Sequence, residues 1–133
     1  MTRILVVDDE PSFAQAVRDY LEFEGYDVQT AHDGLGALRT FKSFQPAVMV
    51  LDMIMPDENG CRVSRMIKTY GRREGYVVPK IVLVTGKNLS HDPGREETVS
   101  RFSMADAVFY KPFDFRELLA SIRGLIGEPR PVA

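Results

Sequence analysis

Four short apolar runs, each followed abruptly by a polar residue, constrain this 133-residue chain more than any other feature. Ile4 to Val7 runs into Asp8-Asp9-Glu10, Ala47 to Leu51 into Asp52, Ile81 to Val84 into Thr85-Gly86, and Ala107 to Tyr110 into Lys111-Pro112. Short apolar runs without polar alternation read as strands covered on both faces, as in a parallel sheet. A fifth segment, Val28-Gln29-Thr30-Ala31, mixes polar and apolar positions and reads as an edge strand.

Helical patterns separate the strands. Phe13, Val17, Tyr20 and Leu21 share one face of a helix opened by Pro11 and closed by Gly25; Leu38, Phe41 and Phe44 mark a second, and Val63, Met66, Ile67 and Tyr70 a third. Gly71-Arg72-Arg73-Glu74-Gly75 reads as a polar loop. Ser90 to Ser103 is the weakest pattern, with little besides Val99 and Phe102 to bury. Phe115, Leu118, Leu119, Ile122, Leu125 and Ile126 form the clearest stripe, with Asp114 and Glu117 at capping-box spacing. Five strands alternating with five helices predict an α/β fold, a doubly wound parallel sheet.

One domain is expected over residues 1–127, with 128–133 as a tail or the start of a linker. At 44% hydrophobic and 27% charged residues the chain can bury one core. A formal charge of -2 argues against a nucleic-acid footprint, and the single cysteine, Cys61, excludes an internal disulfide and a cysteine-held zinc. No apolar segment is long enough for a signal peptide or a membrane span, so a cytoplasmic location is expected.

In an open parallel sheet, ligands bind outside the carboxyl ends of the strands. Asp8, Asp9, Asp52, Thr85, Gly86 and Lys111 should therefore meet on one rim. Each has an ordinary alternative: Asp9 or Glu10 as a helix cap, Thr85 as a strand end, Lys111 as a solvated surface residue. All of them together would need four coincidences on one edge. Converging carboxylates repel unless one is protonated or a cation sits among them, and all-oxygen ligands suit Mg²⁺ (or Mn²⁺). A cation, a lysine, and donors from Thr85 and the Gly86 N–H are what phosphoryl transfer to a carboxylate requires.

Ile4 to Pro11, Leu51 to Gly60, Val84-Thr85-Gly86 and Tyr110-Lys111-Pro112-Phe113 together resemble the receiver domain of bacterial two-component response regulators, the CheY-like fold. The resemblance implies strand order 2-1-3-4-5 and Asp52 as phospho-acceptor. It implies Mg²⁺ held by Asp9, Asp52 and the Met53 carbonyl, with Asp8 acting through water. Thr85, Gly86 and Lys111 would contact the phosphoryl group, and the Lys111–Pro112 peptide would be cis. The donor would be a phosphohistidine of a histidine kinase or phosphotransfer protein. Phosphorylation would alter the face made by the fourth helix, fifth strand and fifth helix, controlling an output partner. Such a chain is a signalling domain rather than an enzyme, a monomer or weak dimer without membrane or direct nucleic-acid contact.

Three departures stand out. Receivers usually carry an aromatic residue three positions before the lysine, where this chain has Val108; Tyr110, on the same strand face, is the candidate substitute for the switch. The stretch from Thr85 to Lys111 is a few residues longer than usual, around Asp92-Pro93-Gly94. Ile54 and Lys87, two residues beyond Asp52 and Thr85, occupy positions that tune hydrolysis, and an apolar Ile54 offers an attacking water no hydrogen bond. His32 and His91 are expected away from the rim. The competing functions are a phosphohydrolase, whose Asp-x-Asp is absent, a flavin or nucleotide binder, whose phosphate loop three acids would repel, and a receiver-like scaffold that has lost phosphorylation.

Overall fold

The computed structural model describes residues 1–56, 58–86 and 93–127. Among these the order is β1 (Arg3–Val7), α1 (Pro11–Phe23), β2 (Asp27–Ala31), α2 (Gly34–Phe44), β3 (Val48–Asp52), β4 (Ile54–Met55), β5 (Glu58–Asn59), α3 (Gly60–Glu74), β6 (Lys80–Thr85), α4 (Pro93–Ser103), β7 (Ala107–Tyr110) and α5 (Phe115–Ile126). β4 and β5 form only a two-residue antiparallel hairpin beside the main sheet. The main sheet is parallel and ordered β2-β1-β3-β6-β7, which is the expected 2-1-3-4-5 once the hairpin strands are passed over.

Alternation along the central strands divides the core into two layers. Ile4, Val6, Val48, Val50, Val82 and Val84 face α1 and α5, where they meet Val17, Leu21, Leu118 and Ile122. Leu5, Val7, Met49, Leu51, Ile81 and Leu83 face the other way, onto Phe41, Val63 and Ile67 of α2 and α3. Both faces are thus covered, and burying each such side chain contributes roughly 1.5–3 kcal/mol. β2 lies at the sheet edge, as its mixed pattern implied.

The polar segment after Tyr70 is not a loop. α3 continues through Arg72, Arg73 and Glu74 and stops at Gly75, whose φ of 77° ends it in the left-handed conformation. Arg and Glu are good helix formers, and the buried Gly71 faces Phe41 and Val78, which an added Cβ would meet at 3.4 Å, so the helix continues across the polar run. Met66, expected on the buried stripe, is exposed; Ile67 takes the inward position. At α5 the Asp114 carboxylate accepts from the Arg116 N–H and side chain, not from Glu117 as a capping box would have it.

α4 has few apolar residues, and polar bonds from α3 hold its last turn. Ser64 Oγ donates to the Ser103 carbonyl at 2.6 Å and Arg65 Nη1 to that of Phe102 at 3.1 Å. Beyond the helix, the buried Lys68 ammonium donates to Asp106 Oδ2 at 2.7 Å, which also accepts the Ile81 N–H at 2.8 Å. Ser90, His91, Asp92, Lys87 and the 128–133 tail lie outside the described residues. No helix among the described residues is long and apolar enough to cross a membrane.

Candidate functional site

The strand ends deliver their polar residues to one rim. Asp8, the first residue past β1, is buried and tied down: its N–H donates to the Ala31 carbonyl at 3.1 Å, and its Oδ1 accepts the Glu10 N–H at 2.9 Å. Asp9 is exposed beside it. Asp52 closes β3 with 6% of its surface exposed, and its Oδ1 accepts the Ile54 N–H at 3.3 Å. One carboxylate oxygen from each of Asp8, Asp9 and Asp52 lies within 4.8 Å of the others.

Positive charge reaches this cluster from the end of β7. Lys111 Nζ donates to Asp8 Oδ2 at 2.9 Å and stands 3.9 Å from Asp52 Oδ2. The Lys111 N–H donates to the Thr85 carbonyl at 2.8 Å, which sets the lysine in register with the end of β6. Thr85 is fully buried, Gly86 is exposed, and the Lys111–Pro112 peptide is cis. Neither Asp9 nor Glu10 acts as a side-chain cap: Glu10 holds the N-cap position of α1 without a side-chain bond.

Burial, and next the repulsion of Asp8, push the Asp52 carboxyl up to about 6, while the Ile54 N–H and Lys111 pull the other way. Three carboxylates facing one ammonium leave the rim short of positive charge. That deficit, with all-oxygen donors in reach of one point, fits a hard divalent cation such as Mg²⁺. The Met53 carbonyl accepts the Gly60 N–H at 2.8 Å, and a carbonyl retains a second lone pair for a ligand. At Gly60 the backbones approach so closely that an added Cβ would collide with the Asp52 carbonyl oxygen and lie 2.7 Å from Met53 Cα.

Two further residues, His32 and Phe13, join the rim without a clear signal in the sequence. His32, expected away from the rim, has its Nδ1 3.0 Å from the Asp8 carbonyl oxygen. β2 runs parallel to β1, so the residues beyond its carboxyl end join the same edge. Phe13, read only as core, also presents its ring to the Lys111 ammonium, 4.1 Å from the centroid. Its position one turn into α1, just after the acids, was the available signal. Val108 and Tyr110 are both partly buried and line one shallow groove with Phe113 and Glu117. Ile54 is 47% exposed beside Asp52, and Lys87 lies outside the described residues.

Comparison with known proteins bears on the family and the fold. The family described as "Response regulator receiver domain" matches residues 4–123. Transcriptional regulatory protein TrcR of Mycobacterium tuberculosis is 36% identical over 124 residues, covering 93% of this chain and 45% of its own length. Response regulator MprA of Mycobacterium avium is 36% identical over 129 residues, covering 97% of this chain and 53% of its own. The chain thus spans about half the length of these curated relatives. Among solved structures, response regulator TrrA of Thermotoga maritima, in complex with Mg(2+)-BeF, superposes with a TM-score of 0.78 at 34% identity, over 94% of this chain and 99% of that one. The signal receiver domain of a response regulator from Bermanella marisrubri gives 0.77 at 33%, over 95% and 99%.

Proposed function

Because this chain belongs to the response regulator receiver domains, we propose that Asp52 is the residue that accepts the phosphoryl group. The convergence of Asp8, Asp9 and Asp52 under the Lys111 ammonium carries this reading. An Asp52 oxygen forms the new O–P bond as the P–N bond to a phosphohistidine breaks, and the departing imidazole takes up a proton. The donor is a histidine kinase or phosphotransfer protein.

Mg²⁺ or Mn²⁺, held by Asp9, Asp52 and the Met53 carbonyl with Asp8 through water, would supply charge neutralisation at the transferring oxygens. The chain's own residues do the rest. Asp8 and Phe13 hold the lysine; Lys111, Thr85 and the Gly86 N–H face the phosphoryl oxygens; the Ile54 N–H orients the nucleophile. Residues 1–127 form the receiver unit and 128–133 a tail or linker start. The output face is α4, β7 and α5, with Val108 and Tyr110 as the responding pair. A scaffold without phosphorylation is disfavoured, since the acids, hydroxyl and lysine are all in place.

The test is incubation with a small phosphodonor and Mg²⁺, followed by mass spectrometry. One phosphoryl group, stable in acid and labile in base, is expected on the wild-type chain and absent from Asp52→Asn. A donor-treated chain without the adduct, or an adduct that survives in Asp52→Asn, overturns the assignment.

A further inference from the structure

The outward face of α3 opposes the charge of the chain as a whole. Its residues Gly60–Glu74 include Arg62, Arg65, Lys68, Arg72 and Arg73 against one carboxylate, Glu74, in a chain of formal charge -2. Lys68 is turned inward to Asp106, and the Arg73–Glu74 pair is exposed and holds little energy. Among the described residues no carboxylate lies within ion-pair distance of Arg62 or Arg72.

These cations surround an apolar groove. Met66, 44% exposed, Phe102, 46% exposed, and Tyr70 line it together with Arg62, Arg65 and Arg73. The walls are already ordered. Arg65 bonds the Phe102 carbonyl, and its guanidinium carbon lies 5.1 Å from that ring's centroid. Tyr70 stacks on Tyr76 at 5.7 Å between Lys42, 4.9 Å from its ring, and Arg73, 5.7 Å from it. A pre-ordered surface loses little side-chain entropy when covered, and methionine and aromatics among arginines is the composition of an interface centre.

We propose that this face of α3 docks an acidic amphipathic helix of a partner protein, with apolar side chains seated on Met66 and Phe102 and carboxylates facing Arg62, Arg65 and Arg73. Charge complementarity sets the sign of the partner. The apolar floor of Met66 and Phe102 favours a protein helix over nucleic acid, whose phosphates need cations alone. The surface shares no residue with the acidic rim and is already formed in the unphosphorylated chain, so docking needs no phosphoryl group and is expected in Asp52→Asn as well.

The probe is a synthetic helix of about 18 residues, slightly longer than α3, with a leucine stripe flanked by glutamates. Titrated into the isotope-labelled chain, it is expected to shift the amide resonances of Met66, Tyr70 and Phe102, with affinity falling as salt rises. Arg62→Glu with Arg73→Glu should weaken binding about tenfold or more. Met66→Ser should weaken it as well, at unchanged charge, and Arg39→Glu on α2 should leave it unaltered. Far-UV circular dichroism checks that each variant is folded. Absence of shifts, equal binding by Met66→Ser, equal binding of a scrambled peptide of the same composition, or tighter binding of an arbitrary DNA duplex overturns the proposal.

Discussion

The Lys111 ammonium sits against the face of Phe13, 4.1 Å from the ring centroid, while donating to Asp8 Oδ2 at 2.9 Å. Ring and carboxylate hold it from two sides. If a cation draws Asp8 away, the ring still keeps the lysine aimed at Asp52. Such a contact contributes about 1 kcal/mol, a factor of about five in rate. Phe13→Leu, which retains an apolar side chain, should accept phosphate from a small donor about fivefold more slowly, with Phe13→Tyr close to wild type. Stopped-flow rates under donor excess provide the measurement.

Asp52 makes stability depend on pH in a defined direction. Its folded carboxyl, pushed up to about 6 from 3.8, binds its proton more tightly than in the unfolded chain. The ionised form is therefore a liability above pH 6, and the folded state gains as pH falls from there towards 4. Without divalent cation, Asp52→Asn should be more stable than wild type at pH 7.5 by on the order of 2 kcal/mol. The gap should close near pH 4. Urea midpoints of the two proteins across that range check the sign.

Gly60 is fixed by a close approach rather than by an unusual backbone angle. Any Cβ there meets the Asp52 carbonyl and Met53 Cα. Gly60→Ala should cost about 2 kcal/mol or more in stability and displace the Met53 carbonyl from the rim. Weaker Mg²⁺ binding, read by calorimetry on the folded variant, is the expected companion effect.

Ile54 stands exposed beside Asp52 and offers water no side-chain hydrogen bond. Ile54→Asn supplies one, about 1 kcal/mol in favour of the attacking water. The phosphorylated chain should then lose its phosphate about fivefold faster, which a phosphate-release assay tracks directly.

The rim was legible because strand direction determines it. In a parallel sheet every carboxyl end faces one edge, so a polar residue ending an aliphatic run announces its place; Asp8, Asp52, Thr85 and Lys111 all obeyed. What escaped depends on packing. Phe13 belongs to the core stripe by periodicity, and only its ring's tilt toward Lys111 reveals the second contact. The run Gly71 to Glu74 reads as a loop by its polarity, yet Arg and Glu have high helix propensity and α3 runs through it. Met66 and Ile67 are adjacent, and hydrophobic character alone does not say which of the two turns inward.

The rim draws on positions 8, 52, 85 and 111, each at the carboxyl end of a different strand of one sheet. On the proposed assignment, the nascent polypeptide would therefore lack a complete acceptor site until β7 has left the ribosome and docked beside β6. On the same assignment, a chain truncated before β7 should take up no phosphoryl group from a small donor. Loss of acceptor capacity in denaturant should track loss of the entire fold, which makes the chemistry a quality check on its own scaffold.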